Sequence, residues 1–348
     1  MPPIPLSSDT ESRPTKAMRE AMSRAEVGDE QRGEDPSVNQ LQERVAALLG
    51  KEAALWFPSG TMCNLVAVKV HTQPAEAIIA DSMSHIIRAE SGGAALVSGV
   101  LVEPIVTTHG IFSAAQMLEA LGRLRTLPVP YGPIARLVCV EQTNNFGGGS
   151  IWSLAELAAM SAAARAEGLA LHMDGARLLN ACVASGVAAA DFAQHVDSVW
   201  IDFTKGLGAP IGAVLAGSST FIATARRYKH VFGGAMRQAG IAAAGCLHAL
   251  DHHVERLAED HANAQFLANA LAKIPGISLR TPQPQTNIVF FDVNRAGLTN
   301  DSFLTQLATR GVRMGQVRGG IRAVTHLDVS RGDIETAIAA VTAIVVAQ

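Results

Sequence analysis

The sequence predicts an α/β fold: a mostly parallel central sheet with helices on both faces, followed by a small C-terminal α/β domain. Three observations predict it. Short apolar runs alternate with helical patterns over most of the chain, as parallel strands joined by crossover helices do. A long Ala-rich stretch then stops at Pro275-Gly276. Beyond that break the pattern restarts as strand, helix, two short strands and a last helix.

In chain order, the predicted strands of the large sheet are Ala53–Phe57, Ala77–Ala80, Leu101–Val106, Arg136–Val140, Leu169–Met173, Ser198–Phe203 and Ala213–Leu215. Pro104 marks the third as the least regular or as an edge strand, because proline cannot donate to a ladder. The best-signposted helix is capped by Asp35, opens with Pro36 and ends at Gly50. Its Val38, Leu41, Val45 and Leu48 recur at helical spacing. Ser153–Glu167 and Ala176–Ser185 read as crossover helices, and Ala239–Lys273 as one long helical region. Strand Asn287–Val293, helix Asp301–Thr309, strands Val312–Val317 and Ile321–Leu327 and a helix from Gly332 complete the chain. The division implied is an N-terminal arm (1–14), a large domain (15–250) and a small domain (251–348).

A chain of 348 residues exceeds one ordinary core, and 48% apolar with 17% charged residues describes a globular protein. A net charge of −3 leaves no basic footprint for nucleic acid or an anionic membrane. No run approaches the roughly 18 apolar residues of a membrane span. Met1–Asp9 has neither the basic flank nor the apolar run of a signal peptide. Cys63, Cys139, Cys182 and Cys246 are scattered through apolar contexts, which fits free thiols in a reducing compartment. The expectation is a soluble, cytoplasmic protein that binds neither nucleic acid nor membrane.

The chemistry concentrates in four segments. Lys205 follows an apolar strand and opens the turn Gly206-Leu-Gly-Ala-Pro210. A lysine so framed is either a solvated loop residue or an amine able to condense with an aldehyde. Asp174, in Leu169-Ala-Leu-His-Met-Asp174-Gly-Ala-Arg177, closes another apolar strand. It is either a helix cap or a carboxylate for a pyridinium nitrogen, placed where open α/β sheets bind ligands. Arg177 stands near enough in sequence to face the same ligand. Phe57-Pro-Ser59-Gly60-Thr61 is a strand followed by a small-residue turn into a helix: a plain cap, or a phosphate cradle. His85 follows the strand ending at Ala80, where an imidazole either packs or stacks on a ring. The other histidines form no metal-ligand pattern, and His252 and His253, adjacent on a helix, suit a solvated face. Asp174 and Lys205 together carry most of the argument.

These residues fall in a longer series. Ser8-Asp-Thr10 with Arg13-Pro14 comes first, then Gly33-Glu-Asp-Pro36 with Asn39, Ser59-Gly-Thr61 and His85. Asp174-Gly-Ala-Arg177, Lys205-Gly-Leu-Gly-Ala-Pro210, Met236-Arg-Gln238 and Arg322-x-Val-Thr-His-Leu327 complete it. The series resembles the low-specificity L-threonine aldolases and β-eliminating lyases, pyridoxal-5′-phosphate (PLP) enzymes of fold type I, the aspartate-aminotransferase-like architecture. The resemblance implies that Lys205 binds the cofactor covalently, Asp174 holds its pyridine nitrogen and His85 stacks on its ring. Ser59, Gly60, Thr61 and Thr204 would complete the cofactor contacts, with Gly60 and Thr61 at the phosphate. Arg177 would lie beside the cofactor and the substrate, and Ser8 and Arg322 would hold the substrate carboxylate. Arg237 would reach a neighbouring subunit's phosphate, implying a homo-oligomer, dimer or tetramer, with shared active sites.

Three departures fall on the substrate side. Glu141-Gln-Thr-Asn144-Asn145 carries Asn144 where relatives have a histidine near the substrate β-hydroxyl, and Asn144 cannot exchange a proton near neutral pH. Arg32 replaces an aromatic residue and Ala235 a glycine. Arg32 and Arg88 are candidates for the β-carbon pocket. The reaction implied is cleavage of the Cα–Cβ bond of a β-hydroxy-α-amino acid to glycine and an aldehyde. Arg322 and Ser8 would fix the carboxylate, Asn144 would help position the hydroxyl, and His85, or a water it orders, would remove the β-hydroxyl proton. β-Elimination and racemisation begin from the same carbanion, and a non-catalytic binding module on this fold is the reading from another class. No metal is expected.

Overall fold

The computed structural model describes residues 3–281 and 283–346. Positions 1 and 2 of the expected arm, position 282, and positions 347 and 348 of the expected small domain lie outside the described residues.

The central sheet has seven strands in the order Ala53–Phe57, Ala213–Gly217, Ser198–Asp202, Ala170–Asp174, Ile134–Glu141, Glu76–Asp81 and Leu101–Ile105. Ala213–Gly217 runs antiparallel to both neighbours; the remaining pairs are parallel. Leu101–Ile105 is an edge strand, so Pro104 costs the ladder nothing on its open side. The three central parallel strands end in Glu141, Asp174 and Asp202, all buried. Parallel registry aligns these ends: Glu141 lies opposite Asp174. A row of acids therefore closes the edge of the sheet where α/β proteins bind ligands.

A second sheet, four-stranded and antiparallel, has the order Gly315–Val317, Gly320–Val324, Ile288–Val293 and Ile277–Leu279. Its hydrophobic cluster draws on helices Leu257–Leu271, Asn300–Thr309 and Arg331–Val346, and on Leu6 from the start of the chain. The cluster beneath the large sheet includes Leu257, so helix Leu257–Leu271 joins both cores. Ile4–Pro5 pairs in parallel with Val312–Arg313, which anchors the amino terminus on the C-terminal unit. Among the described residues, no helix is long and apolar enough to cross a membrane.

Four expectations need correction. The region 239–273 is two helices, Gly240–His252 and Leu257–Leu271. The break falls where His253 turns inward and its Nδ1 donates to the Leu207 carbonyl at 2.7 Å, so His253 is buried and not on a solvated face. Segment 312–317 is two short strands with different partners, Ile4–Pro5 and Gly320–Val324, separated by the buried Met314. The helix after Asp174 begins at Leu178, because Asp174 Oδ1 accepts from Ala176 N at 3.0 Å and holds a turn there.

Candidate active site

Lys205 and Asp174 stand on neighbouring strand ends and are linked through two side chains. Lys205 Nζ lies 5.6 Å from the centroid of the Trp200 ring. Trp200 Nε1 donates to Asn64 Oδ1 at 2.7 Å, and Asn64 Nδ2 donates to Asp174 Oδ2 at 2.8 Å. Lys205 Nζ also donates to Asp202 Oδ2 at 2.5 Å. The other Asp202 oxygen accepts from Thr204 N and Oγ1, each at 2.8 Å. Thr204 thus fixes the carboxylate that holds the lysine.

Two glycines make room for Trp200. A Cβ on Gly175 would stand 2.0 Å from the Trp200 carbonyl, and one on Gly60 would stand 2.2 Å from the Trp200 ring. Ser59 caps helix Gly60–His71 through Met62 N at 3.4 Å, and Ser59 and Thr61 are exposed at its open N-terminus. Backbone N–H groups at such an end attract anions.

His85 opens a short helix beyond strand Glu76–Asp81. Its Nδ1 donates to Glu90 Oε1 at 2.8 Å, and its backbone N–H donates to Glu141 Oε2 at 2.9 Å. Nε2 is left for other work. Burial opposes a charge on His85. The Glu90 hydrogen bond and the charges of Asp174, Glu141 and Glu90 outweigh it and raise the pKa above 6.5. Burial, then the charge of Asp174, pushes the Glu141 carboxyl upward. His85, Glu90 and Asp174 bring potential ligand atoms within 4.8 Å of one another. Asn64 and His85 already hold these atoms by hydrogen bonds, which explains the grouping without an ion.

Arg177 is buried and grips Asp9 with Nε and Nη2, both at 2.7 Å. Arg322 donates through Nη1 to Asn145 Oδ1 at 2.9 Å and through Nη2 to the Ser7 carbonyl at 2.8 Å. Its Nε is buried without a protein partner. Burial, then the neighbouring Arg177 cation, pushes the Arg322 pKa down to about 10, with Asp9 opposing. Two guanidinium groups close enough for one to depress the other's pKa, the second lacking an anionic partner, suit a carboxylate ligand. Ser8, between Ser7 and Asp9, which Arg322 and Arg177 hold, accepts from Thr10 N and Oγ1.

Two sequence candidates stand apart from this group. Asn144 is fully buried; its Oδ1 accepts from Gly147 N at 2.7 Å, and its Nδ2 has no protein partner. A Cβ on Gly110 would sit 2.0 Å from its carboxamide carbon, so the side chain is enclosed by its own loop. Arg237 is 60% exposed and donates to Asp29 Oδ2 at 2.8 Å. Arg32 and Arg88 are also exposed.

Sequence reasoning missed Asp9, Asn64, Glu90, Glu141, Trp200 and Asp202. Glu141 and Asp202 carried the same signal as Asp174, an acid closing an apolar strand. Asn64 interrupts an otherwise apolar helix face. Asp9 and Glu90 gave no local signal, because their partners lie far off or in a turn.

The donor set fits PLP. It offers an amine at Lys205, a buried carboxylate at Asp174, an imidazole at His85, an open helix N-terminus and a guanidinium with an unpaired buried N–H. The family model described as "Beta-eliminating lyase" matches residues 5–294. Low-specificity L-threonine aldolase 1 of Arabidopsis thaliana is 37% identical over 337 residues, covering 95% of this chain and 93% of that protein. The low specificity L-threonine aldolase of Escherichia coli (strain K12) is 38% identical over 331 residues, covering 94% and 95%. In fold, the threonine aldolase of Leishmania major superposes with a TM-score of 0.84 at 23% identity, over 99% of this chain and 100% of that one. The family model covers most of the chain and these relatives 94–95% of it, and on that ground the chain belongs to the beta-eliminating lyase family.

Proposed function

We propose that the protein is a PLP-dependent aldolase that cleaves the Cα–Cβ bond of β-hydroxy-α-amino acids such as threonine, allo-threonine and phenylserine. The products are glycine and an aldehyde. The observation that carries this reading is the linked pair of Asp174 and Lys205, joined through Asn64 and Trp200, in a chain whose relatives are named threonine aldolases.

PLP, when bound, supplies a protonated pyridine ring that accepts the electron pair of the bond that breaks. The chain's own groups do the rest. Lys205 would supply the amine that holds the aldehyde cofactor, and Asp202 keeps Nζ in place. Asp174 would hold the ring nitrogen. Arg322, with Ser8, binds the substrate carboxylate, which orients the Cα–Cβ bond for cleavage. Arg177 is committed to Asp9, so it shapes this pocket through that pair. His85 Nε2, or a water it orders, takes the β-hydroxyl proton; its other nitrogen is fixed by Glu90.

A second reading, β-elimination, is favoured by one observation: Asn144, where the family resemblance implies a histidine, is enclosed in its loop. Incubation with L-threonine, L-allo-threonine and phenylserine separates the two. Glycine with aldehyde supports the aldolase, ammonia with a keto acid supports the lyase, and recovered D-amino acid points to racemisation. Borohydride reduction followed by mass spectrometry tests the shared premise, with a pyridoxyl adduct expected on Lys205.

The exposed Arg237 fits a role in a second subunit's site, so the working assembly is a homo-oligomer, dimer or tetramer. Four free thiols fit a cytoplasmic location.

A further inference from the structure

We infer that Asn64 is the positioning residue of this site, and that a one-way chain of hydrogen bonds from His71 through Ser198 and His172 fixes its amide. The inference rests on the cofactor reading above for its catalytic consequence. The direction of the chain follows from the donor and acceptor capacities of the groups alone.

Trp200 Nε1 can only donate, so the Asn64 atom 2.7 Å away is the amide oxygen. Asn64 Nδ2 then faces two carboxylates, Glu90 Oε1 at 2.7 Å and Asp174 Oδ2 at 2.8 Å, and spends one hydrogen on each. The same orientation satisfies both sides. Asn64 Oδ1 can only accept, so His172 Nε2, 3.1 Å away, carries a hydrogen. His172 Nδ1 is then a lone pair, and the Ser198 hydroxyl at 2.8 Å must donate to it. Ser198 has one hydrogen. Its oxygen therefore accepts from His71 Nε2, also at 2.8 Å.

Each group is held by the one before it. Burial, together with the charge of His71, pushes His172 down to about 3, and burial pushes His71 down to about 4, so both are neutral imidazoles. His71 stacks on Phe221 at 4.7 Å between ring centroids, which fixes its ring plane. At the other end, Asn64 reaches Asp174 directly and His85 through their shared partner Glu90. One amide thus sets the two groups assigned to the nitrogen and the face of the cofactor ring.

The first test needs no cofactor. Nitrogen-15 spectra of histidine-labelled apoprotein at neutral pH are expected to show His172 and His71 as neutral Nε2–H tautomers. A cationic His172, or one protonated at Nδ1, overturns the chain. The second test uses Asn64→Leu, Ser198→Ala and Ser198→Thr. For Asn64→Leu, kcat on L-threonine is expected to fall about ten- to hundredfold with KM within about twofold, and the bound cofactor's spectrum is expected to shift. Ser198→Ala is expected to fall in the same direction by less, and Ser198→Thr, which keeps the hydroxyl, to recover. A folded Asn64→Leu with normal kcat, or a loss carried by KM alone, sinks the positioning role. If Asn64→Leu does not fold, a Ser198→Ala protein with wild-type kcat sinks it equally. Should wild-type protein give no pyridoxyl adduct on Lys205, the cofactor reading fails, and with it the role assigned to Asn64; the tautomers still decide the chain's direction.

Discussion

Arg177 holds Asp9 in a two-pronged ion pair, Nε to Oδ2 and Nη2 to Oδ1, each at 2.7 Å, across 168 positions of sequence. Both side chains are buried. Asp9 Oδ2 also accepts from Asn287 Nδ2 at 3.1 Å, and the Asn287 backbone carbonyl accepts from Thr325 N. The amino-terminal segment, the strand-end turn of the large sheet and the C-terminal unit thus share one buried carboxylate. That joint fixes the three parts relative to one another.

Removing one partner leaves a buried charge uncompensated, which costs about 3–5 kcal/mol. Asp9→Asn is therefore expected to lower stability by about that much in a urea titration, and the double change Asp9→Leu with Arg177→Met to cost less than either alone. Burial raises the Asp9 carboxyl, but Arg177, with Lys205 and Asn287, outweighs it and holds the group far below its ordinary 3.8. A depressed acid stabilises the fold above its unfolded value and loses that contribution as pH falls toward its folded one. The gap between wild type and Asp9→Asn should therefore narrow below pH 3.8. A gap constant with pH would detach the effect from this carboxylate.

His85 gives a pH prediction of opposite sign. As the proposed base it would work in the neutral form, and its pKa lies above 6.5 because Glu90, Asp174 and Glu141 overcome the effect of burial. The acid limb of kcat/KM is expected above pH 6.5, with activity rising as His85 loses its proton. Glu90→Gln removes the hydrogen-bonded anion and leaves burial opposed only by Asp174 and Glu141. The acid limb should then move to lower pH, and an unmoved or upward-moved limb would exclude His85 as the titrating base.

The sequence was most legible where local chemistry alone decides an element. Asp35, Pro36 and Gly50 bound helix Pro36–Leu49 as expected, because a cap, a preset φ and a left-handed stop act within one turn. Pro104 marked an edge strand for an equally local reason. The break at 253–256 had no such marker. It depends on His253 reaching Leu207, 46 positions away. Strand Ile4–Pro5 exists because Val312–Arg313 lies beside it, and two residues carry no periodicity. The site divides in the same way. Asp174 and Lys205 end apolar strands and could be read. Asp9 and Glu90 resemble solvated acids until Arg177, His85 and Asn64 meet them.

Gly110 tests whether the enclosure of Asn144 matters. Its φ is +78°, and a Cβ would stand 2.0 Å from the Asn144 carboxamide. Gly110→Ala must strain the backbone and displace the side chain that receives Gly147 N–H. A loss of about 2–4 kcal/mol is expected from φ strain and overpacking together. Asn144→Ala should cost less, about 1–3 kcal/mol, by leaving that N–H unpaired. Thermal unfolding ranks the two, and the reverse order would show that the loop yields more easily than its contacts suggest.

Arg322 supplies the last prediction, and it separates stability from function. Its guanidinium is half-buried with neutral oxygen partners, its buried Nε is unpaired, and Arg177 lies close enough to depress its pKa. A cation so placed is a cost to the fold that a bound carboxylate relieves. Replacing a buried charge by an apolar side chain of similar length is often neutral or stabilising. Without ligand, Arg322→Met is therefore expected to melt at or above the wild-type temperature while losing aldolase activity. Glycine, the expected product, should stabilise wild-type holoenzyme by about 2.7 kcal/mol at one hundred times its Kd. The same concentration should leave Arg322→Met unmoved. If the ligand-free variant unfolds more readily than wild type, Arg322 is supporting the structure, and the carboxylate has to be bound elsewhere.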